Sequence, residues 1–300
     1  MKERFRENLN LSRKNITKLA MVNEIIEEYK QQGYQLTLRQ LYYQLVSRDI
    51  IPNMQSEYAK LSRLLVKGRM AGMVDWNAIE DRLRVPFLPY WVNDLADAMN
   101  DTIKQYRLNR QEGQRVYIEI WVEKDALSGV LREVVLDYHI NFVVNRGYSS
   151  CTAMYDACKR FEREMLNGGD ILGGKDLVIL YLGDHDPSGL DMIRDIRNRL
   201  EEFCIEAEII HVAITQEQIE MYNPPPNPAK ITDPRFKHYI QSHGTTSWEV
   251  DALEPRVLNQ LIREKIESLI DMELFQEKLE QEQRDKKKLA GFAEKVTRNT

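Results

Sequence analysis

Three hundred residues, 43% hydrophobic and 30% charged, make a globular chain able to bury one large core or two ordinary ones. No apolar run approaches the roughly 18–20 residues of a membrane span, and Met1-Lys2-Glu3-Arg4-Phe5-Arg6 carries no apolar leader, so a membrane or secreted protein is not expected. The three cysteines (Cys151, Cys158, Cys204) form no C-x-x-C, which argues against a disulfide scaffold or a cysteine zinc site and for a reducing, cytoplasmic setting.

The net charge of -5 is unevenly spread. Residues 1–72 hold 13 Lys+Arg against 7 Asp+Glu, whereas residues 116–300 hold 23 against 33. A basic N-terminal part on an acidic body suits a nucleic-acid-binding module joined to a metal-binding one. Chance asymmetry on a solvated surface is the plain alternative.

Helical spacing of Ile16, Leu19, Val22, Ile25, Ile26 and Tyr29 predicts a helix over 12–33. Thr37 caps a second helix carrying Leu38, Leu41, Tyr42 and Leu45, and a third covers about 55–71. Three short basic helices fit a winged-helix pattern or an ordinary bundle. A further helix is expected over 92–111, and the polar run 109–114 reads as a linker. Strand and helix then alternate: strands at 116–122, 140–144, 177–182 and 205–212, helices at 126–138, 151–166 and 187–203. That alternation predicts a Rossmann-like α/β domain with a parallel sheet. Asn223-Pro224-Pro225-Pro226-Asn227-Pro228 must be extended, and 255–295 reads as charged, solvated helix. The division expected is 1–112, 113–254 and 255–300.

Ligands of open parallel sheets bind beyond the carboxyl ends of the strands. There lie Glu123-Lys124-Asp125 after the first strand and Gly183-Asp184-His185-Asp186-Pro187-Ser188-Gly189 after the third. Glu123, Asp184 and Asp186 would converge, and like charges so placed need a cation. Oxygen-only ligands favour magnesium, with manganese as the alternative, over zinc. Helix capping by Asp184 or Asp186 is the plain reading of the same residues. Glu249 and Asp251 in Trp248-Glu249-Val250-Asp251 form a second acidic pair, presented on one side of an extended segment and suited to a second metal. Gly169–Asp176 mimics a phosphate loop but precedes a strand and lacks the Ser or Thr after its lysine. None of the five histidines has metal-ligand spacing, and His185 alone lies between candidate ligands.

These motifs resemble the Toprim domain of topoisomerases, primases and OLD-type nucleases. The closer resemblance is to the topoisomerase VI A subunit and the related meiotic double-strand-break protein, in which a winged helix precedes the Toprim domain. It covers about residues 35–215. It rests on Asp184-His185-Asp186-Pro187-Ser188-Gly189 and on Thr37-Leu38-Arg39-Gln40-Leu41-Tyr42-Tyr43. The resemblance implies magnesium held by Glu123, Asp184 and Asp186, and Tyr43 as a nucleophile that forms a phosphotyrosine link to DNA. It also implies a homodimer in which one protomer's tyrosine meets the other's metal, and a separate ATPase partner to complete a topoisomerase.

Adjacent on a helix, Tyr42 and Tyr43 point to different faces, which predicts one in the core and one at the surface. A phenol with a pKa of about 10 needs help to attack. Arg39, four residues before Tyr43 on one helix face, is placed to give it. Lys124 is a candidate phosphate contact, and Lys60, Arg63, Lys67 and Arg69 with Arg39 are candidate DNA contacts. Two other functions stay open: a hydrolytic Toprim nuclease using one or two metals, and a non-catalytic DNA-binding accessory factor.

Overall fold

The structure, a computed structural model, describes residues 2–6, 11–80, 89–166, 174–228 and 233–297. In the N-terminal unit, α1 (Arg13–Gln31), α2 (Leu38–Ser47) and α3 (Gln55–Met70) enclose a core of Leu19, Val22, Ile25, Tyr29, Leu41, Leu45, Leu61 and Leu65. Thr37 caps α2 as expected: its hydroxyl accepts from the Gln40 N–H, and the Gln40 side chain accepts in turn from the Thr37 N–H, a capping box. Between α1 and α2, β1 (Leu36–Thr37) pairs in parallel with β2 (Ile79–Glu80). Residues 81–88 lie outside the described residues.

The helix expected over 92–111 is shorter, α4 (Leu95–Gln105). The polar run after it is partly buried. Gln111 exchanges hydrogen bonds with the Ile118 backbone at 2.6 and 3.1 Å, Gln114 does the same with Asp271, and Arg110 pairs with buried Glu282 at 3.1 Å. Hydrogen bonds offset the cost of taking these amides out of water, so polarity alone does not mark solvent here.

The central sheet has four parallel strands. They are β3 (Val116–Val122), β4 (Asn141–Val144), β5 (Asp176–Leu182) and β6 (Glu208–Ala213), in the order β4-β3-β5-β6. Alternate residues of a strand face opposite sides. Ile118, Ile120, Val122, Val178, Leu180 and Leu182 pack with α5 (Ser128–Tyr138). Tyr117, Trp121, Ile179 and Tyr181 pack with α6 (Cys151–Leu166) and α7 (Pro187–Glu202). Glu119, fully buried in β3, is met by Arg160 at 2.7 and 2.9 Å and by the Tyr117 hydroxyl and Trp121 indole.

Beyond β6, α8 (Gln216–Tyr222) leads to β7 (Asn227–Pro228). After α9 (Phe236–His243), β8 (Thr246–Ser247) pairs with β7 antiparallel. The last two helices are α10 (Pro255–Leu269) and α11 (Met272–Thr297). The charge of 255–295 predicts a solvated helix. Instead α10 buries Leu258, Ile262 and Ile266 in the same core as α5, each worth about 1.5–3 kcal/mol over exposure.

The strand order reverses between β4 and β5, on either side of β3. The register Val122↔Leu182 makes β3 and β5 end level, so Glu123 and Asp184 leave the sheet side by side at this switch point.

Candidate active site

The backbone N–H of Asp184 donates to Glu123 Oε2 at 2.9 Å, and Asp184 Oδ1 accepts from the Val250 N–H at 3.0 Å. The close turn after β5 requires Gly189: a Cβ there would lie 2.2 Å from the Asp184 carbonyl oxygen. Asp186 caps α7, its Oδ1 accepting from the Gly189 N–H at 2.7 Å and the Ser188 hydroxyl at 2.8 Å. The capping role is therefore filled by Asp186, although its charge is still felt at Glu123.

Glu249 and Asp251 arrive from far along the chain. His185 and Trp248 exchange backbone hydrogen bonds at 2.8 and 3.1 Å, and the Tyr239 hydroxyl donates to the Thr246 carbonyl at 2.8 Å. Glu249 then opens a tight turn over Val250–Ala252, and Ala252 enters the N-terminal core against α2. The pair is thus set by a turn and not by the extended alternation expected. Both carboxylates nonetheless reach one place.

That place holds Lys124. Its Nζ lies 2.6 Å from Asp184 Oδ2, 2.8 Å from Glu249 Oε2 and 3.5 Å from Asp251 Oδ1. On the other side, the Arg39 guanidinium pairs with Glu249 and stands 3.1 Å from Asp251 Oδ2. Burial alone would push the Lys124 ammonium down, but Asp251 and Asp184 hold its pKa above the usual lysine value. Burial, then the Asp184 charge, pushes Glu123 up to about 7, and burial raises Asp184 as well.

Tyr42 and Tyr43 do not divide between core and surface: both are buried. Tyr42 donates to Asn53 Oδ1 at 2.9 Å. Tyr43 turns toward the acidic cluster: its hydroxyl accepts from Asn227 Nδ2 at 3.1 Å, and the Arg39 guanidinium carbon is 5.9 Å from its ring centre. Burial raises the Tyr43 pKa, with Asp251 adding to it, while Arg39, Asn227 and Lys124 pull it back. Asn227 itself is held by Asn53 Nδ2 at 2.8 Å. Neither Asn227 nor Asn53 stands out in the sequence. The only signal is the stiff proline run that carries Asn227, and nothing local links it to Tyr43.

His185 is structural. Its Nδ1 meets the Tyr239 hydroxyl at 3.2 Å, and burial, then neighbouring His243, lowers its pKa to about 4. Of the candidate DNA contacts, Lys60, Arg63 and Lys67 line one groove of 780 Å³ with Arg6, Lys14 and Lys18. Arg69 donates to the Ile79 carbonyl at 3.0 Å and lies over Trp76, and Arg39 is committed to the acidic cluster. Residues 169–173 of the phosphate-loop mimic lie outside the described residues.

Among the described residues no three carboxylate, imidazole or thiolate groups stand at metal-ligand spacing. The donor chemistry nevertheless fits a hard divalent cation. Glu123, Asp184, Asp186, Glu249 and Asp251 against Lys124 and Arg39 leave a formal charge of -3. Asp251 is buried with neither carboxylate oxygen accepting a hydrogen bond. No helix of the described residues is long and apolar enough to cross a membrane. In comparison with known proteins, no family model and no curated protein matches this chain.

Proposed function

We propose that the chain is a magnesium-dependent DNA strand-cleaving enzyme, a winged-helix module followed by a Toprim domain, with Tyr43 as its nucleophile. The observation that carries this reading is the meeting, within one chain, of the Tyr43 hydroxyl and the carboxylate cluster through Asn227 and Arg39. Glu123, Asp184 and Asp186 would hold magnesium or manganese, with Glu249 and Asp251 available to a second ion. Such an ion, when bound, neutralises a scissile phosphate and makes its phosphorus easier to attack.

The chain's own residues supply the rest. The Tyr43 oxygen bonds to phosphorus, the bond from phosphorus to the sugar oxygen breaks, and the sugar leaves as its hydroxyl. The phenol proton passes to solvent, and solvent supplies the proton that the leaving sugar oxygen takes up. Asn227, by donating to the phenol oxygen, and Arg39, by its charge, favour the developing phenolate. The groove of Lys60, Arg63 and Lys67 offers cations for the phosphate backbone. DNA is the proposed partner, and a second copy and a separate ATPase are the further partners of a strand-passing assembly. The approach of Tyr43 to the cluster needs no second copy.

One observation favours water as nucleophile: Tyr43 is only 4% exposed, and burial disfavours its phenolate. That reading is a hydrolytic nuclease built on the same carboxylates. Plasmid nicking by Tyr43→Phe separates the two. Abolished cutting supports the tyrosine, and undiminished cutting supports water.

A further inference from the structure

Three carboxylates from two distant parts of the chain converge on one ammonium group. Lys124 follows β3, Asp184 follows β5, and Glu249 and Asp251 sit on the turn after β8. An ammonium has three protons and no acceptor, so Lys124 stands among three acids in the way a small cation would, within 2.8 Å of two of them and 3.5 Å from the third. The pairing is not one of mutual completion. After Lys124 and Arg39 are counted, formal negative charge remains, and Asp251 faces both cations without a hydrogen bond to either.

The two cations differ in chemistry. Arg39 is fixed by Glu249, Asp251 and the Tyr43 ring. Lys124 carries a compact, strongly hydrated charge on a flexible four-carbon stem, and its side chain, 19% exposed against 42% for Arg39, sits deeper among the carboxylates.

We propose that Lys124 is a tethered counter-ion: it occupies the cation position of the carboxylate cluster and is displaced when a hard divalent cation enters. This rests on the metal-site reading above and adds to it that cation entry is an exchange. The wild-type affinity is then weaker than the carboxylates alone would give, and Lys124, once released, is free for an incoming phosphate. An ordinary structural salt bridge would show no such competition.

Manganese binding to the full-length chain, followed by electron paramagnetic resonance, tests this without any need for activity. Lys124→Met, which keeps the stem and removes the charge, should bind Mn2+ about tenfold tighter or more. Lys124→Arg should bind no tighter than wild type. Equal or weaker binding by a folded Lys124→Met overturns the proposal. Asp184→Asn separates the two claims: if it binds Mn2+ as well as wild type does, the metal site itself is misassigned. If neither wild type nor Lys124→Met binds Mn2+, both claims fall. Should Lys124→Met not fold, wild-type protein supplies the second measurement. Acetic anhydride should label Lys124 several-fold faster in saturating Mg2+ than without it, by peptide mass spectrometry, and an unchanged rate overturns the exchange.

Discussion

Glu123 and Asp184 are joined by a single hydrogen bond, from the Asp184 backbone N–H to the Glu123 carboxylate at 2.9 Å, which ties the ends of two neighbouring parallel strands into one acidic corner. The bond holds Glu123 within reach of the Asp184 charge, and burial and that charge together push it up to about 7 from about 4.5. A raised carboxyl favours the neutral form in the folded chain. Its contribution to stability is therefore complete below pH 4.5 and lost as the pH rises through about 7. Glu123→Gln, which cannot ionise, should gain thermal stability relative to wild type across that window. A difference in Tm that stays flat from pH 4.5 to 7 would show that Glu123 does not titrate there.

Gly189 lies against the Asp184 carbonyl, where a Cβ would come within 2.2 Å of backbone. Gly189→Ala must move the first turn of α7 or the Asp184 loop. The expected loss is about 3 kcal/mol, the upper part of the usual range for overpacking, read from chemical denaturation. A loss below about 1 kcal/mol would show that the turn yields freely.

Arg160 of α6 makes a two-pronged pair with the buried Glu119 of β3. Removing one partner leaves a buried carboxylate without its counter-charge. Arg160→Ala should therefore cost about 3–5 kcal/mol. Glu119→Gln with Arg160→Met should recover part of that loss, and a double variant as unstable as the single one would show that the charge pair is not the cause.

The groove of Lys60, Arg63 and Lys67 bears on the nucleic-acid reading. Replacing all three by Gln should weaken duplex binding at every sequence. The slope of log affinity against log salt should become shallower by about 0.9 for each phosphate no longer neutralised. Filter binding across a salt series measures this, and an unchanged slope would place the DNA elsewhere. Arg69→Gln, which alters a side chain held by Ile79 and Trp76, should leave the slope as it is in wild type.

Strands β3 and β5 were legible because Val116–Val122 and Asp176–Leu182 are nearly unbroken apolar runs, buried on both faces. Glu123 and Asp184 were legible with them, since residues just past parallel strands share one edge. The occupant of that edge was not. Lys124 looks like any surface lysine until Glu249 and Asp251 are brought back across more than a hundred residues. Asn227 was hidden for the same reason: its partners Tyr43 and Asn53 are remote in sequence. The buried side chains of 109–114 and of α10 were hidden for a different reason. Composition reports polarity, whereas burial depends on whether polar groups find partners, as Gln111 and Gln114 do, and on which face of a charged helix is apolar, as Ile262 and Ile266 show.

Attack by Tyr43 under metal control is tested most directly on supercoiled plasmid. The wild-type chain is incubated with it in Mg2+ and in Mn2+, the products are digested with nuclease, and the peptides are mapped by mass spectrometry. Expected are cut DNA and a deoxynucleotide phosphate attached to the Tyr43 peptide, both absent for Asp184→Ala/Asp186→Ala. Cut DNA with an unmodified Tyr43 and protein-free ends would rule out the tyrosine and leave hydrolysis. Intact plasmid under both metals would rule out cleavage by this chain alone and leave a DNA-binding factor or a chain that cuts only with its ATPase partner.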